Sequence, residues 1–269
     1  MSTIRAAPIL PNGIRFSKFN PDKTLALPTQ KAWDPFLTDR DREVLAAAGY
    51  GRRMGFGKRP TVVIIDVNYN FCGDRREPIL DSIRRWPNSC GEAAWDAVAR
   101  IAELLAVARP KGIPVIYTTG AFRADGWDYG GWKWKYGRAK DEYATPSNRR
   151  GNDIVDEIAP APRDIVLPKL KPSAFHGTPL AGHLNLLGAD SIVVCGGSTS
   201  GCVRATVLDA FSDNLKVAVA EDACFDRSEV SHAINLMDMD AKYADVLPTA
   251  EIAAYLSTLP DGSFDLPPG

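Results

Sequence analysis

Histidine is scarce in this chain, and the number of cysteines is odd. The 269 residues contain three histidines, at positions His176, His183 and His232. No two of them have the spacing with which imidazole ligands usually share a zinc ion, so we predict that the protein holds no metal. The five cysteines follow no regular spacing, which fits a reducing compartment better than a disulfide framework, and we therefore expect a cytoplasmic protein.

Long apolar runs and an excess of charge of one sign are also missing. No apolar stretch approaches the roughly 18 residues that a membrane span requires. The formal net charge is −1 and no long basic run occurs, so we expect neither nucleic acid nor a membrane as a partner. The composition, with 45% hydrophobic and 24% charged residues, is typical of a globular protein with a sizeable core.

The chain falls into two regions of different composition. Residues 1–58 are rich in proline, lysine and aspartate, and we predict that they form an N-terminal arm that wraps the rest of the chain or a neighbouring subunit. Within this arm, Asp39 to Ala48 is predicted to form one short helix. Residues 59–269 are predicted to form one large α/β domain, since their number is within reach of a single core.

Strand patterns alternate with helix patterns along that domain. The run Thr61 to Ile65 is apolar and β-branched without alternation, which indicates a strand buried on both faces. A capping box at Ser89 predicts a helix that begins near Glu92. Further strands are predicted at 113–117, 164–167, 191–195, 216–220 and near 245, and further helices at 180–187, 202–214, 228–239 and from a cap at 249. This order predicts a three-layer α/β/α sandwich with a mostly parallel sheet.

Three reactive side chains follow strands of this sheet. Asp66 ends the first strand, Lys169 follows the strand at 164–167, and Cys202 follows the glycine turn 196–201. Ligands bind beyond the carboxyl ends of such strands, so the three side chains are expected near one another. A free thiol has a pKa near about 8.5 and needs activation to act as a nucleophile. We expect Lys169 and the helix start to favour the thiolate, and Asp66 to accept the thiol proton.

Each of these residues also has an ordinary explanation. An aspartate at a strand end is often a cap, and Lys169 has a second lysine, Lys171, two positions away, as solvated surface residues often do. A cysteine after a strand is most often a small buried apolar residue, which is how we interpret Cys72, Cys90, Cys195 and Cys224. The hypothesis of an active site therefore depends on the three residues together.

Three segments resemble the isochorismatase-like cysteine hydrolases. They are Ile65-Asp66-Val67-Asn68, the run 169–180 with its Lys-x-x-x-Ser-Ala-Phe pattern, and the run 196–203 with its Ser-Thr-x-x-Cys-Val pattern. The resemblance covers roughly residues 61–256. Within the family, the runs 198–206 and 240–246 and the N-terminal arm are similar to the branch that hydrolyses N-carbamoyl compounds such as N-carbamoylsarcosine.

The resemblance implies a role for each candidate residue. Cys202 would be the nucleophile, Asp66 the general acid and base, and Lys169 the third catalytic residue. The peptide bond before Ser198 would be cis, and the backbone N–H groups of Ser198 and Cys202 would form the oxyanion hole. Arg227 matches the position of an arginine that holds the substrate carboxylate in the carbamoyl branch.

The same resemblance bears on cofactors and assembly. Family members that act on nicotinamide carry a metal site with an Asp-x-His element, whereas Asp66 is followed here by Val67 and Asn68. We expect no cofactor. We expect the protein to assemble as a homotetramer or homodimer. The segment Trp127 to Lys135 holds three of the six tryptophans among glycines, which suits a lid or a subunit contact.

Other functions remain open on the sequence alone. A nucleotide-binding oxidoreductase would need Gly-x-Gly-x-x-Gly, and a serine hydrolase would need a serine where Thr199 stands between Gly197 and Gly201. An inactive family member that acts as a binding module is a third alternative. For an active amidohydrolase that releases ammonia through a thioester-type intermediate, the sequence leaves open N-carbamoyl amino acids, maleamate-like acid amides, and urea oligomers such as biuret or triuret.

Overall fold

A parallel sheet lies at the centre of the described part of the chain, which comprises residues 30–123, 125–135 and 150–266 of the computed structural model. Its strands are β1 Pro60–Ile65, β2 Val115–Gly120, β3 Ile165–Lys169, β4 Ser191–Gly197, β5 Lys216–Phe225 and β6 Asp245–Leu247. They are ordered β3-β2-β1-β4-β5-β6, and every neighbouring pair is parallel. The predicted parallel sheet is confirmed, and β1 occupies its interior.

Helices cover both faces of this sheet. They are α1 Asp39–Ala48, α2 Tyr69–Cys72, α3 Ile79–Ser82, α4 Glu92–Ala108, α5 Trp132–Lys135, α6 Leu180–Leu186, α7 Arg204–Ser212, α8 Glu229–Lys242 and α9 Thr249–Thr258. Val62 and Ile64 of β1 belong to a core with α4 and α9, whereas Val63 and Ile65 belong to a second core with α6, α7 and α8. The α/β/α sandwich is therefore confirmed. Within the described ranges, none of these helices is both long and apolar enough to cross a membrane.

Two local predictions about helix caps are wrong. The Ser89 hydroxyl accepts hydrogen bonds from the Gly91 N–H at 3.0 Å and from the Ser82 hydroxyl at 2.8 Å, so it does not cap α4. Gly91 is the N-cap residue instead, at a φ of 60° that favours glycine. Thr249 is the first residue of α9, and its hydroxyl donates to Asp222 at 2.6 Å.

The predicted arm is described from residue 30 onward, and residues 1–29 lie outside the described residues. The chain divides into residues 1–31 and residues 32–269, and all the elements above belong to the second unit. Helix α1 has the predicted bounds, because Thr38 and Asp41 form a reciprocal capping box. Further on, the buried Asp245 carboxylate accepts the N–H groups of Met54 at 2.9 Å and Gly55 at 2.8 Å. Residues 54–55 are thus bound to β6, and the domain boundary at residue 58 stays a prediction.

Candidate active site

Asp66, Lys169 and Cys202 meet beyond the carboxyl ends of the strands. The Lys169 ammonium lies 2.6 Å from an Asp66 carboxylate oxygen and 3.4 Å from the Cys202 sulfur. It also donates to the Lys171 carbonyl oxygen at 3.0 Å. One ammonium therefore joins the carboxylate and the thiol, and the three residues that the sequence placed at separate strand ends form a single cluster.

The sheet order explains why a long side chain is needed at position 169. Lys169 ends β3, whereas Asp66 follows β1, and β2 lies between these two strands. Neighbouring strands are about 4.8 Å apart, so the backbones of β3 and β1 are roughly 10 Å apart, and a long side chain is needed to close most of that distance. On β2 the residue paired with Lys169 is Gly120, which adds no side chain to the path. Lys169 is 7% exposed, so its ordinary explanation as a solvated surface lysine does not hold.

The carboxylate of Asp66 is held by the end of β2. The Thr118 hydroxyl donates to Asp66 Oδ1 at 2.9 Å, and the Asp66 N–H donates to the Thr118 carbonyl at 3.1 Å. Asp66 has a φ of 51°, in the left-handed region that non-glycine residues rarely adopt. The sequence analysis missed Thr118, although its register opposite the end of β1 was a usable signal once the sheet order was known.

Cys202 lies in a π-helical turn, Thr199–Val203, that runs into α7. The prediction that an α-helix begins at Cys202 is wrong by two residues, because the turn keeps the wider hydrogen-bonding pattern of Val203 N–H to the Ser198 carbonyl, at 3.2 Å. Single π-helical turns occur frequently at functional sites. The peptide bond between Gly197 and Ser198 is cis, as the resemblance implied.

The electrostatics of the cluster differ from the expected thiolate. Burial raises the pKa of the Cys202 thiol, the charge of Asp66 raises it further, and Lys169 lowers it by less, so that the pKa is about 12. Burial lowers the pKa of the Lys169 ammonium, but the charge of Asp66, the Cys202 sulfur and the hydrogen bonds to both outweigh burial and raise the pKa above its ordinary value. The site thus combines an ion pair with a thiol whose pKa is raised, which is the opposite of the shift that the sequence analysis expected.

A second set of contacts fixes the turn that carries Cys202. The buried Thr199 hydroxyl donates to the Phe225 carbonyl at 3.1 Å and lies 2.8 Å from His232 Nδ1. Asp226 Oδ2 accepts the Ser200 N–H at 2.7 Å. Burial lowers the pKa of His232, which keeps the ring neutral and able to serve as a hydrogen-bonding partner. The sequence analysis gave His232 no part in the site, and nothing in its helical spacing signalled this contact.

The cluster opens into a cavity of about 160 Å³. Ser198 and Cys202, whose N–H groups are the predicted oxyanion hole, both line it. The Asn70 amide also lines it and donates to Asn152 at 2.9 Å. Aromatic residues form much of the remaining wall, and they are Phe71, Phe122, Tyr129 and Trp132. The cavity therefore combines an apolar wall with a few directed polar groups, as small-molecule sites usually do.

Arg227, the predicted substrate-binding residue, lines this cavity. Its guanidinium carbon is 5.4 Å from the centre of the Phe71 ring, and the guanidinium donates to the Asn88 carbonyl oxygen. Its backbone N–H donates to Asp226 at 2.8 Å. An exposed arginine held by a ring face and a carbonyl keeps a defined orientation, which a surface arginine without partners would lack.

The aromatic segment, residues 127–135, contributes two residues to the cavity wall. Tyr129 is buried and its ring centre lies 5.0 Å from that of Phe122. Trp127 and Trp134 point away from the core and are 77% and 88% exposed. The segment thus borders the site on one side and presents large apolar side chains on the other, and its role as a lid or subunit contact stays a prediction.

The described residues offer no obvious metal site. Among them, no group of three or more histidine, cysteine, aspartate or glutamate side chains is arranged so that it could hold a metal ion. All five cysteines are free thiols. The expectation that activity requires no metal stays a prediction to be tested with a chelator.

Residues 60–251 match the isochorismatase domain model, and the chain belongs to the isochorismatase family. It is 34% identical over 231 residues to N-carbamoylsarcosine amidase of an Arthrobacter species, which covers 81% of this chain and 79% of that relative. It is 33% identical over 202 residues to maleamate amidohydrolase of Pseudomonas putida, covering 74% of this chain and 87% of that relative. An isochorismatase family protein from Desulfovibrio vulgaris superposes with a TM-score of 0.63 at 30% identity, over 75% of this chain and 100% of its own. The chain is thus a relative of amidohydrolases.

Replacing the carboxylate should separate thiol reactivity from turnover. In Asp66→Asn the charge that raises the Cys202 pKa is lost, so the thiolate should form at lower pH and pair with Lys169. The rate of alkylation by iodoacetamide, followed against pH, should therefore shift to lower pH. Turnover should fall by about 10²–10⁴, the usual contribution of a general acid and base.

Thr118→Val is the matched control, because it removes one hydrogen bond from the same carboxylate and leaves its charge. It should leave the pH profile of alkylation nearly unchanged. An unshifted profile in Asp66→Asn, in protein that is folded by circular dichroism, would contradict the assigned electrostatics.

Proposed function

We propose that the protein is a cysteine-dependent amidohydrolase that releases ammonia from a small linear amide or N-carbamoyl compound, with Cys202, Asp66 and Lys169 as its catalytic residues. The observation that carries this proposal is the pair of contacts of one ammonium, 2.6 Å to the Asp66 carboxylate and 3.4 Å to the Cys202 sulfur. A nucleophile, a base and a cation that orients both are the parts that covalent amide hydrolysis requires.

In the first half of the reaction, the Cys202 sulfur attacks the carbonyl carbon while its proton passes to Asp66. The raised pKa of the Cys202 thiol supports this order, because a base must then remove the proton as the sulfur attacks. Asp66 then gives the proton to the departing nitrogen, and ammonia leaves. The carbonyl carbon remains bound to the sulfur as a thioester, or as a thiocarbamate when the substrate is an N-carbamoyl compound.

In the proposed mechanism, the turn 198–202 stabilises the negative charge that develops on the carbonyl oxygen. We propose that the N–H groups of Ser198 and Cys202 donate to it, and the position of both residues on the cavity supports this assignment. In the second half, Asp66 accepts a proton from water, which attacks the thioester carbon. The Cys202 thiol then leaves and takes the proton back, which restores the resting site.

Arg227 is proposed to bind a carboxylate of the substrate. A guanidinium offers two parallel hydrogen bonds, which match the two oxygens of a carboxylate. The relatives named for N-carbamoylsarcosine and for maleamate both point to small amides that carry one carboxylate. An N-carbamoyl amino acid and a maleamate-like acid amide differ in the spacer between the carboxylate and the scissile carbonyl. The spacer therefore decides which of the two classes fits the site.

We further propose that the enzyme acts without a metal or cofactor, in the cytoplasm, as a homodimer or homotetramer. Free cysteines suit a reducing compartment, and the exposed Trp127 and Trp134 supply apolar surface for a subunit contact. The alternative of an inactive binding module is disfavoured because the nucleophile, the carboxylate and the ammonium are all present and in contact.

An ammonia-release screen tests the proposed function. The panel comprises N-carbamoylsarcosine, N-carbamoylglycine, maleamate, biuret and triuret, with enzyme that has been dialysed against a chelator. We expect turnover of at least one carboxylated compound by the wild type and none by a folded Cys202→Ala variant. Turnover that survives in Cys202→Ala, or that appears only after zinc or manganese is added back, would show that the proposed chemistry is wrong.

Replacement of the arginine tests the carboxylate assignment. Arg227→Lys keeps the charge but loses one of the two parallel hydrogen bonds, and charge-assisted hydrogen bonds contribute about 1.5–3 kcal/mol. We therefore expect kcat/KM for carboxylated substrates to fall by roughly ten- to a hundredfold. Turnover of biuret, which has no carboxylate, should fall much less, and an equal loss on both substrate types would mean that Arg227 supports the fold rather than the substrate.

A further inference from the structure

We propose that Lys171 is a second substrate-binding cation, and that the substrate carries two acidic groups rather than one. This inference rests on the proposed function, since it concerns the substrate of the same site. One acidic group would bind Arg227, and the other would bind the Lys171 ammonium. The chemical class that results is a small dicarboxylic amide or N-carbamoyl compound, such as an N-carbamoyl derivative of an acidic amino acid.

The charge balance of the cavity is the first argument. Among the described residues that line it, the charged ones are Asp66, Lys169, Lys171 and Arg227. Asp66 and Lys169 form an ion pair and neutralise each other. Two cations therefore remain without a compensating carboxylate in the lining. A substrate with one carboxylate would neutralise one of them, whereas a substrate with two acidic groups would neutralise both.

Neither remaining cation is engaged by an acidic side chain. Among the described residues, no aspartate or glutamate forms an ion pair with Lys171 or Arg227. Other arginines, such as Arg85, Arg109 and Arg123, do form ion pairs with acidic side chains. Arg227 donates to a carbonyl oxygen instead. Two unpaired cations on one cavity attract an anionic ligand, and the attraction is strengthened by a wall that excludes water.

The position of Lys171 is the second argument. Its carbonyl oxygen accepts the Lys169 ammonium at 3.0 Å, so its backbone is bound to the catalytic cluster. Its own ammonium approaches the aromatic segment at Gly130, where a Cβ would lie 2.7 Å from Lys171 Nζ. Gly130 has a φ of 58°. The absence of a side chain there leaves room for the ammonium between the strand end and the aromatic segment.

The aromatic wall is the third argument. Tyr129 and Trp132 of the aromatic segment line the same cavity as Lys171. An ammonium in a cavity with an aromatic wall is partly shielded from water, so an anionic group that reaches it gains more than it would at an open surface. The half-buried Lys171 therefore differs from Lys133 of the aromatic segment, which is exposed and does not line the cavity.

The experiment compares N-carbamoylglycine, which has one carboxylate, with N-carbamoyl-L-aspartate, which has two. The measured quantity is the ratio of their kcat/KM values in the wild type, in Lys171→Met and in Lys171→Arg. Lys133→Met is the matched control, because it removes the same charge from a residue of the aromatic segment that does not line the cavity. Dissociation constants for N-carbamoyl-L-aspartate in Cys202→Ala, with and without Lys171→Met, give a readout that needs no turnover.

We expect the wild type to prefer the dicarboxylate, and Lys171→Met to reduce that preference by about tenfold or more, the equivalent of one charge-assisted hydrogen bond. Lys171→Arg should retain most of the preference, Lys133→Met should retain all of it, and the dissociation constant should rise in parallel.

Three outcomes would overturn the proposal. A wild type that hydrolyses N-carbamoylglycine as well as or better than the dicarboxylate would do so, as would an equal loss on both substrates in Lys171→Met, which would assign Lys171 to holding the aromatic segment. In either case Cys202-dependent turnover of N-carbamoylglycine would leave the proposed function standing. If neither compound is bound or hydrolysed, the second cationic site is also refuted for this class of substrate.

Discussion

The ion pair between Lys169 and Asp66 is the interaction on which the rest of the site depends. Both side chains are almost completely buried, and their charged atoms lie 2.6 Å apart. Loss of one partner of such a pair leaves an uncompensated buried charge and costs about 3–5 kcal/mol. Burial is the main cause of the raised pKa of the Cys202 thiol, and the pair adds to it, because Asp66 raises this pKa while Lys169 lowers it by less. In the proposed mechanism, the carboxylate of this pair is the group that accepts the thiol proton.

The fold brings the pair together through the sheet order. Strand β2 separates β3 from β1, so the lysine must reach across a whole strand, and β2 contributes Gly120 beside its path and Thr118 as the partner of the carboxylate. On the other side of β1, β4 ends in the turn that carries Cys202. Each strand end supplies one part, and the helices on both faces keep those ends in register. A change in the packing of β2 would therefore disturb the site, although the Thr118 hydroxyl is the part of β2 that hydrogen-bonds to Asp66 through a side chain.

Much of the fold could be predicted from the sequence, because a uniformly apolar, β-branched run is typical of a strand that is buried on both faces. The buried run behind β1 was predicted to within one residue, and α1 was predicted with both of its bounds, since Thr38 and Gly49 mark its ends. Strand β5 was predicted five residues too short, because its continuation from Glu221 to Phe225 mixes charged and apolar residues and is set by pairing with the end of β4. The burial of Lys169, the proton on Cys202, and the parts played by Thr118 and His232 depend on neighbours distant in sequence, which no local pattern encodes.

The central claim is that the carbonyl carbon of the substrate becomes covalently bound to Cys202. Rapid acid quenching of the wild-type enzyme mixed with a hydrolysed substrate, followed by mass spectrometry of the peptide that contains Cys202, tests this claim most directly. The account predicts that the peptide gains the mass of the substrate minus ammonia during turnover, that the adduct disappears as product accumulates, and that none forms in Cys202→Ala. Product formation in a single turnover with no adduct on Cys202 at any time, or with the adduct on another residue, would contradict it.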